Sequence, residues 1–140
     1  MTNLVTECLA ESITDLESKN LGVRIEEGDP VFALADKEML VRIIHNLIRN
    51  SATHAAGDLE VRIFTMHNEH AVVSFRNPVT NTADMDVNRI FDRFYTADKS
   101  RGATTGLGLS IVRLLAEQMG GSTSAALQNG FIEIQFELPV

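Results

Sequence analysis

The sequence contains few cysteine, proline and aromatic residues, and it contains no tryptophan. Its 140 residues include one cysteine, three prolines and 6% aromatic residues. Cys8 cannot form an internal disulfide, so a disulfide-stapled secreted scaffold is excluded. No apolar run approaches the roughly 18 residues that a membrane span needs, and the N-terminus does not resemble a signal peptide. We therefore expect a soluble domain from a reduced, cytosolic compartment.

Positive charge is also in short supply. Twelve lysines and arginines stand against 19 aspartates and glutamates, which gives a formal net charge of −7. This balance argues against binding to nucleic acid or to an anionic membrane surface, and it favours small molecules or proteins as partners. The hydrophobic content of 44% is that of a globular chain, and the length suits one core. Residues 1–140 are therefore predicted to form a single domain.

Hydrophobic periodicity predicts helices alternating with short strands. In the first helix Leu9, Ile13 and Leu16 are expected to form one buried stripe, and Asp36 is expected to cap the second helix. The predicted helices are 6–19, 37–55 and 107–119, with a helical turn at 87–94; the predicted strands are 21–26, 31–34, 59–63, 71–75, 122–127 and 131–138. Packing these elements predicts an α/β (α+β) two-layer sandwich, with three helices on one face of a mixed, mostly antiparallel sheet.

The helix at 37–55 carries a polar stripe opposite its apolar one. Asn46 and Asn50 are i,i+4 neighbours on that stripe. One interpretation is a solvated helix face, which is the common fate of polar stripes. The other is a functional pair, because asparagine is a poor helix former and appears here twice in mid-helix.

Residues 91–121 combine an aromatic pair, a loop with Lys99 and Arg101, and the glycine-containing segment GLGLS followed by a helix. A glycine-rich turn that leads into a helix presents backbone N–H groups and the positive end of the helix dipole to an anion. Glycines at a helix start also serve tight turns and close packing, and the two cations are equally consistent with plain surface charge. The segment matches neither the Walker A loop nor the dinucleotide fingerprint.

Three stretches, in this order and spacing, resemble the catalytic and ATP-binding domain of sensor histidine kinases. They are HNLIRNSATHA at 45–55, IFDRFYTADKS at 90–100 and TTGLGLSIVRLLAEQMGG at 104–121. They resemble the family's N box, F box and second glycine box. The resemblance implies the Bergerat-type fold that this family shares with DNA gyrase, the heat-shock chaperone of the same superfamily, and MutL.

The resemblance also implies a site for ATP and Mg2+. Asn50 matches the asparagine that ligates Mg2+, and an amide oxygen suits a hard cation. Asn46 stands where the superfamily's ATPases carry a water-activating glutamate, and an amide cannot act as a general base. Phosphate binding is implied for Gly106, Leu107, Gly108, Leu109 and Ser110, lid anchoring for Phe91 and Phe94, and contact with the nucleotide for Lys99 or Arg101.

The sequence departs from the family at the base-binding end. The first glycine box, Asp-x-Gly-x-Gly, is missing, and its position holds Asn77-Pro78-Val79-Thr80-Asn81. Asn77 can still accept a hydrogen bond from the adenine amino group and donate one to the neighbouring ring nitrogen. The N-box lysine and tyrosine are replaced by Thr53 and His54, which removes a phosphate-neutralising charge. We therefore expect altered adenine recognition and a low affinity.

The expected function is that of the ATP-binding catalytic domain of a two-component sensor histidine kinase. It would transfer the γ-phosphoryl group of ATP to a histidine on a separate dimerisation domain preceding residue 1, with a response regulator as the downstream partner. The phosphoacceptor and sensor domains are expected to be absent from this chain, and the chain to be the cytosolic part of a membrane-anchored receptor. The alternative is a pseudokinase or protein-interaction module of the same fold, whose nucleotide site has degenerated.

Overall fold

The secondary structure was obtained from a computed structural model, which describes residues 1–27, 31–33, 35–67, 69–79, 86–92 and 108–140. These residues form three α-helices, five β-strands and one 3-10 turn. In chain order they are α1 (Thr2–Ser18), β1 (Val23–Glu27), α2 (Lys37–His54), β2 (Leu59–Met66), β3 (His70–Pro78), the 3-10 turn (Val87–Arg89), α3 (Gly108–Gln118), β4 (Ser122–Gln128) and β5 (Phe131–Pro139).

The five strands form one open sheet in the order β1-β2-β3-β5-β4. β1 is parallel to β2, and the other neighbouring pairs are antiparallel. Because side chains alternate along a strand, one face of the sheet carries the apolar set that packs against the helices. That set includes Val61, Ile63, Val73, Phe75, Ile134 and Phe136, which share one core with the buried residues of α1, α2 and α3. The predicted two-layer sandwich with a mixed, mostly antiparallel sheet is confirmed.

The first helix differs from its prediction in its start and in one core residue. It begins at Thr2 instead of residue 6, and its buried side chains are Val5, Cys8, Leu9 and Leu16. Ile13 is 39% exposed, so its predicted place in the buried stripe is wrong. At about 100° per residue, Ile13 lies some 80° from Val5 and falls at the edge of the buried arc.

The strand predicted at 31–34 is also wrong for the residues that the structure describes there. Residues 31–33 belong to no strand. The backbone of Val31 is instead bound to the start of α1: its N–H donates to Thr2 Oγ1 over 2.9 Å, and its carbonyl accepts from the Met1 amino group over 2.9 Å. Val31 is therefore buried, but its hydrogen bonds go to a helix end.

Asp36 caps α2 as the sequence predicts. Its Oδ1 accepts a hydrogen bond from the Met39 N–H over 3.0 Å, which satisfies one of the free donors of the first turn. The cap fixes where α2 begins and therefore which of its side chains face the sheet. The apolar stripe of α2 is buried and consists of Leu40, Ile43, Ile44, Leu47 and Ile48.

Replacing Asp36 by alanine should destabilise the domain by about 1 kcal/mol, because the Met39 N–H loses its partner. Urea unfolding followed by circular dichroism measures this change. Lys37→Ala, at the exposed neighbouring position, is the matched control and should stay within about 0.5 kcal/mol of the parent. Equal stability of the two variants would remove Asp36 from the capping role.

The predicted terminator Gly120-Gly121 ends α3. The Gly121 N–H donates to the Ala116 carbonyl over 2.8 Å, and the Gly120 N–H donates to the Glu117 carbonyl over 3.0 Å. Gly120 has φ +82°, the left-handed conformation that this helix ending requires. None of the described helices is long and apolar enough to cross a membrane.

Candidate nucleotide site

The N-box helix and the start of the glycine-box helix lie against each other. α2 packs on α3, and Asn46 Oδ1 lies 3.4 Å from the point that a Cβ on Gly108 would occupy. Gly108 is the first residue of α3. Two segments that are 62 positions apart in sequence, residues 46 and 108, are therefore neighbours in the fold.

The two asparagines of the polar stripe are half-buried and not fully solvated. Asn46 Nδ2 donates back to the Arg42 carbonyl over 2.8 Å, which leaves its oxygen directed to the α3 start. Asn50 follows one turn later, on nearly the same side of α2. Both amides are partly accessible, and the solvated-face and functional-pair interpretations of this stripe both stay predictions.

The start of α3 is the described part of the predicted phosphate loop. Gly108, Leu109 and Ser110 are half-buried, and Leu109 packs against the core. The first N–H groups of a helix have no partner within the helix, and they carry the positive end of its dipole. Four predicted contacts lie outside the described residues, as does one lid anchor: Lys99, Arg101, Gly106, Leu107 and Phe94.

Phe91, the other predicted lid anchor, is 8% exposed and belongs to the hydrophobic core. It follows the 3-10 turn Val87–Arg89, which is capped by Asp86: the Asp86 side chain accepts from the Asn88 N–H over 3.0 Å. One residue further, Asp92 lies 3.8 Å from Arg113 of α3. This aromatic anchor and the ion pair tie the segment before the predicted lid to the core and to the helix after it.

Asn77 lies at the end of β3 and is 4% exposed. Its Nδ2 donates to the Pro78 carbonyl over 3.0 Å, and its Oδ1 accepts from Ser51 Oγ over 3.4 Å. The residue that replaces the family's adenine-binding aspartate is thus held by hydrogen bonds at both ends of its amide.

Ser51 is a site residue that the sequence analysis missed. It is 2% exposed and follows Asn50 directly on α2. Its position continues the apolar stripe, four residues after Leu47 and three after Ile48. A serine in a buried stripe needs a hydrogen-bond partner, and this is the signal that was available in the sequence.

The described residues offer no classical metal cluster of three or more histidine, cysteine, aspartate or glutamate side chains. Mg2+ does not require one, because it keeps several waters and takes one or two protein oxygens plus those of phosphates. The half-buried amide of Asn50, one turn of α2 beyond Asn46, has an oxygen that suits such a site. The one cysteine, Cys8, lies on α1 in the hydrophobic core. Burial, and then the charges of Glu11 and Glu7, raise the pKa of its thiol.

Residues 35–140 match the family model described as "Histidine kinase-, DNA gyrase B-, and HSP90-like ATPase". The match covers α2, α3 and four of the five strands. The chain belongs to this ATPase family. Its membership confirms the resemblance that the three boxes carry, and the domain is of the ATP-binding catalytic type found in sensor histidine kinases.

Two curated relatives are similar to this chain over most of its length. Sensor histidine kinase YcbM of Bacillus subtilis is 33% identical over 114 residues, covering 78% of this chain and 37% of YcbM. Sensor histidine kinase component HK1 of Mycobacterium tuberculosis is 30% identical over 139 residues, covering 96% of this chain and 81% of HK1. The chain therefore spans little more than a third of one relative and most of the other.

A solved structure has the same fold. Full-length ShkA, crystallised in complex with AMPPNP, superposes with a TM-score of 0.80 at 24% identity. The superposition covers 98% of this chain and 29% of ShkA. At this identity the likeness establishes the arrangement of the helices and the sheet. It says nothing about the site residues, whose positions are taken from the structure of this chain alone.

Proposed function

We propose that this domain binds Mg-ATP along α2, with the phosphates at the start of α3 and the base at the end of β3. The observation that carries the proposal is the approach of Asn46 to Gly108, where a would-be Cβ lies 3.4 Å from Asn46 Oδ1, so that the N box is next to the second glycine box. From Asn46 to Ser51 the helix rises by about 7.5 Å. The half-buried Asn50 lies between these two ends.

Each described residue has a part that its chemistry suits. Asn50 supplies an oxygen to Mg2+, and the Mg2+ neutralises charge on the phosphate oxygens. The N–H groups of Gly108, Leu109 and Ser110 donate hydrogen bonds to phosphate oxygens at the positive end of the α3 dipole. Asn77 meets the adenine. For the residues outside the described ranges, Lys99, Arg101, Gly106, Leu107 and Phe94, the roles implied by the family remain predictions.

The reaction that we propose is transfer of the γ-phosphoryl group to a histidine on a separate dimerisation domain, with a response regulator downstream. Positioning and charge stabilisation supply most of the catalysis in phosphoryl transfer. Asn46 supports a protein acceptor over water, because its amide cannot deprotonate a water molecule and its Nδ2 is already bound to Arg42. We place the domain on the cytosolic side of a receptor, where ATP is available.

A second candidate is a pseudokinase or interaction module with a degenerated nucleotide site. The observations that favour it are the missing Asp-x-Gly-x-Gly box and the replacement of the N-box lysine by Thr53. Both change the affinity for nucleotide, and neither removes the contact between α2 and α3.

Thermal unfolding in the presence of ATP separates the two candidates. A ligand that binds the folded state stabilises it by about 2.7 kcal/mol at one hundred times its Kd. We expect the midpoint to rise with ATP concentration in the presence of Mg2+, and to rise less when EDTA replaces it. An unchanged midpoint at millimolar Mg-ATP would favour the non-catalytic module.

A further inference from the structure

The connection between β4 and β5 is a two-residue turn. Gln128 pairs with Phe131, so Asn129 and Gly130 alone join the two strands. Both residues have a left-handed backbone, with φ +54° at Asn129 and +79° at Gly130, as a type I′ turn requires. Both are exposed. The tip of the hairpin is therefore an asparagine followed by a glycine, in contact with water.

An asparagine in this setting can react with the backbone of the residue that follows it. The Gly130 nitrogen attacks the side-chain amide carbon of Asn129, and the new C–N bond closes a five-membered succinimide ring. The bond from that carbon to Nδ2 breaks, and Nδ2 leaves as ammonia with the proton that the Gly130 nitrogen gives up. Water then opens the ring at either of its two carbonyls, which leaves aspartate or isoaspartate. Water is the only co-reactant.

Two features of the turn favour ring closure at Asn129. A Cβ on Gly130 would meet nothing within 4 Å, so the space beside the attacking nitrogen is open. Among the residues that the structure describes, none accepts a hydrogen bond from the Gly130 N–H, and none bonds to the Asn129 side chain. The nitrogen and the amide carbon are both accessible, and a rotation within the exposed turn brings them together.

Asn20 has the same backbone conformation but lacks these features. Its φ is +59°, and it is exposed. The next residue, Leu21, is 6% exposed, and its N–H donates to the Leu16 carbonyl over 2.9 Å. Attack by this nitrogen would break the hydrogen bond and displace a core side chain. Asn20 therefore provides an internal comparison for Asn129.

The turn is also attached to the chain just after β3. The Gly130 carbonyl accepts a hydrogen bond from the Val79 N–H over 2.9 Å. Isoaspartate routes the main chain through the side-chain carbon and so adds one methylene to the backbone, which changes the geometry of a two-residue turn. Aspartate leaves the backbone unchanged, and Asp-Gly is itself a favoured pair for this turn.

We propose that Asn129 is a site of spontaneous deamidation, and that the isoaspartate product weakens the attachment of the β4–β5 turn to Val79. Either product adds one negative charge to a chain whose formal net charge is −7. Neither step involves the proposed ATP site. The chain thus undergoes a slow, water-driven change in charge and, through isoaspartate, in stability.

The test is to incubate the folded 140-residue protein in mildly alkaline buffer and to follow its tryptic peptides by mass spectrometry. Trypsin places Asn129 in peptide 114–140 and Asn20 in peptide 20–24, each as the one asparagine of its peptide. We expect peptide 114–140 to gain, over time, the mass that replacement of NH2 by OH adds, and an isoaspartate-specific methyltransferase to label it. Peptide 20–24 should keep its mass. An unchanged peptide 114–140, or an equal change in both peptides, would overturn the proposal.

Urea unfolding of fresh and incubated protein measures the effect on the fold. The incubated parent should contain a population that unfolds at lower urea concentration, in a share that follows its isoaspartate content. Asn129→Gly keeps the positive φ and has no amide to lose, so it is the matched control and should not change on incubation. Fresh Asn129→Asp should unfold like the fresh parent, because its backbone is unchanged. An isoaspartate-containing parent that unfolds like the fresh protein would overturn the proposed weakening.

Discussion

Replacing Asn50 by alanine should remove the magnesium dependence of ATP binding while leaving the fold in place. Loss of a hydrogen-bonding partner behind a metal ligand already costs 10- to 100-fold in metal affinity, so loss of the ligand itself should weaken Mg-ATP binding by about tenfold or more. The fold should survive because Asn50 is only half-buried, and alanine is the better helix former.

The measurement is the Kd for ATP in Mg2+ and in EDTA, for the parent and for the variant. The parent should bind more tightly in Mg2+, and Asn50→Ala should bind equally weakly in both. His45→Ala changes an exposed side chain of the same helix and serves as the control, with binding like that of the parent. A variant that retains the parent's magnesium dependence would remove Asn50 from the metal site.

The second large effect is expected at Gly121, where α3 turns into β4. A Cβ on this residue would lie 1.9 Å from the carbonyl oxygen of Glu137 and 3.0 Å from its carbonyl carbon. The obstacle is backbone of β5, which pairs with β3 on one side and β4 on the other and cannot move aside. Gly121→Ala should therefore cost about 3 kcal/mol or more, the upper range of overpacking.

Gly130→Ala is the control for this prediction. Gly130 has nothing within 4 Å of a would-be Cβ, but its φ of +79° is left-handed. The strain of alanine there should cost about 1–2 kcal/mol. Urea unfolding of both variants measures the difference, and equal losses would contradict the close approach of the α3 end to β5.

Much of the fold is predictable because it follows from local chemistry and periodicity. The apolar stripe of α2, its Asp36 cap and the alternation of the last strand each specify an element within a few residues, and the structure has all three. The Asn129-Gly130 turn is equally local, since both residues adopt the positive φ that such a turn needs.

The predictions fail at residues whose hydrogen bonds or burial depend on segments that are distant in sequence. Val31 has the pattern of a strand residue, but its backbone partners are Met1 and Thr2. Ile13 has helical spacing with Leu9 and Leu16, yet the core reaches only part of that arc. No local pattern predicts which partner reaches a backbone group from 29 or 30 positions away.

The candidate site is likewise predictable from the sequence only in part. The asparagines of the polar stripe and the glycine at the α3 start are predicted from the sequence, because three boxes in register are distinctive. The link between Ser51 and Asn77 was not, because it joins residues 26 positions apart through the packing of α2 on the sheet. The structure therefore adds most at the end of β3, where base binding is proposed.

We propose above all that α2 and the start of α3 together bind Mg-ATP. Titration calorimetry of the 140-residue chain with ATP tests it most directly, in Mg2+ and again in EDTA. We predict a saturable heat with one nucleotide per chain and a weaker affinity in EDTA. The absence of any binding heat at millimolar Mg-ATP, together with an unchanged unfolding midpoint, would contradict it.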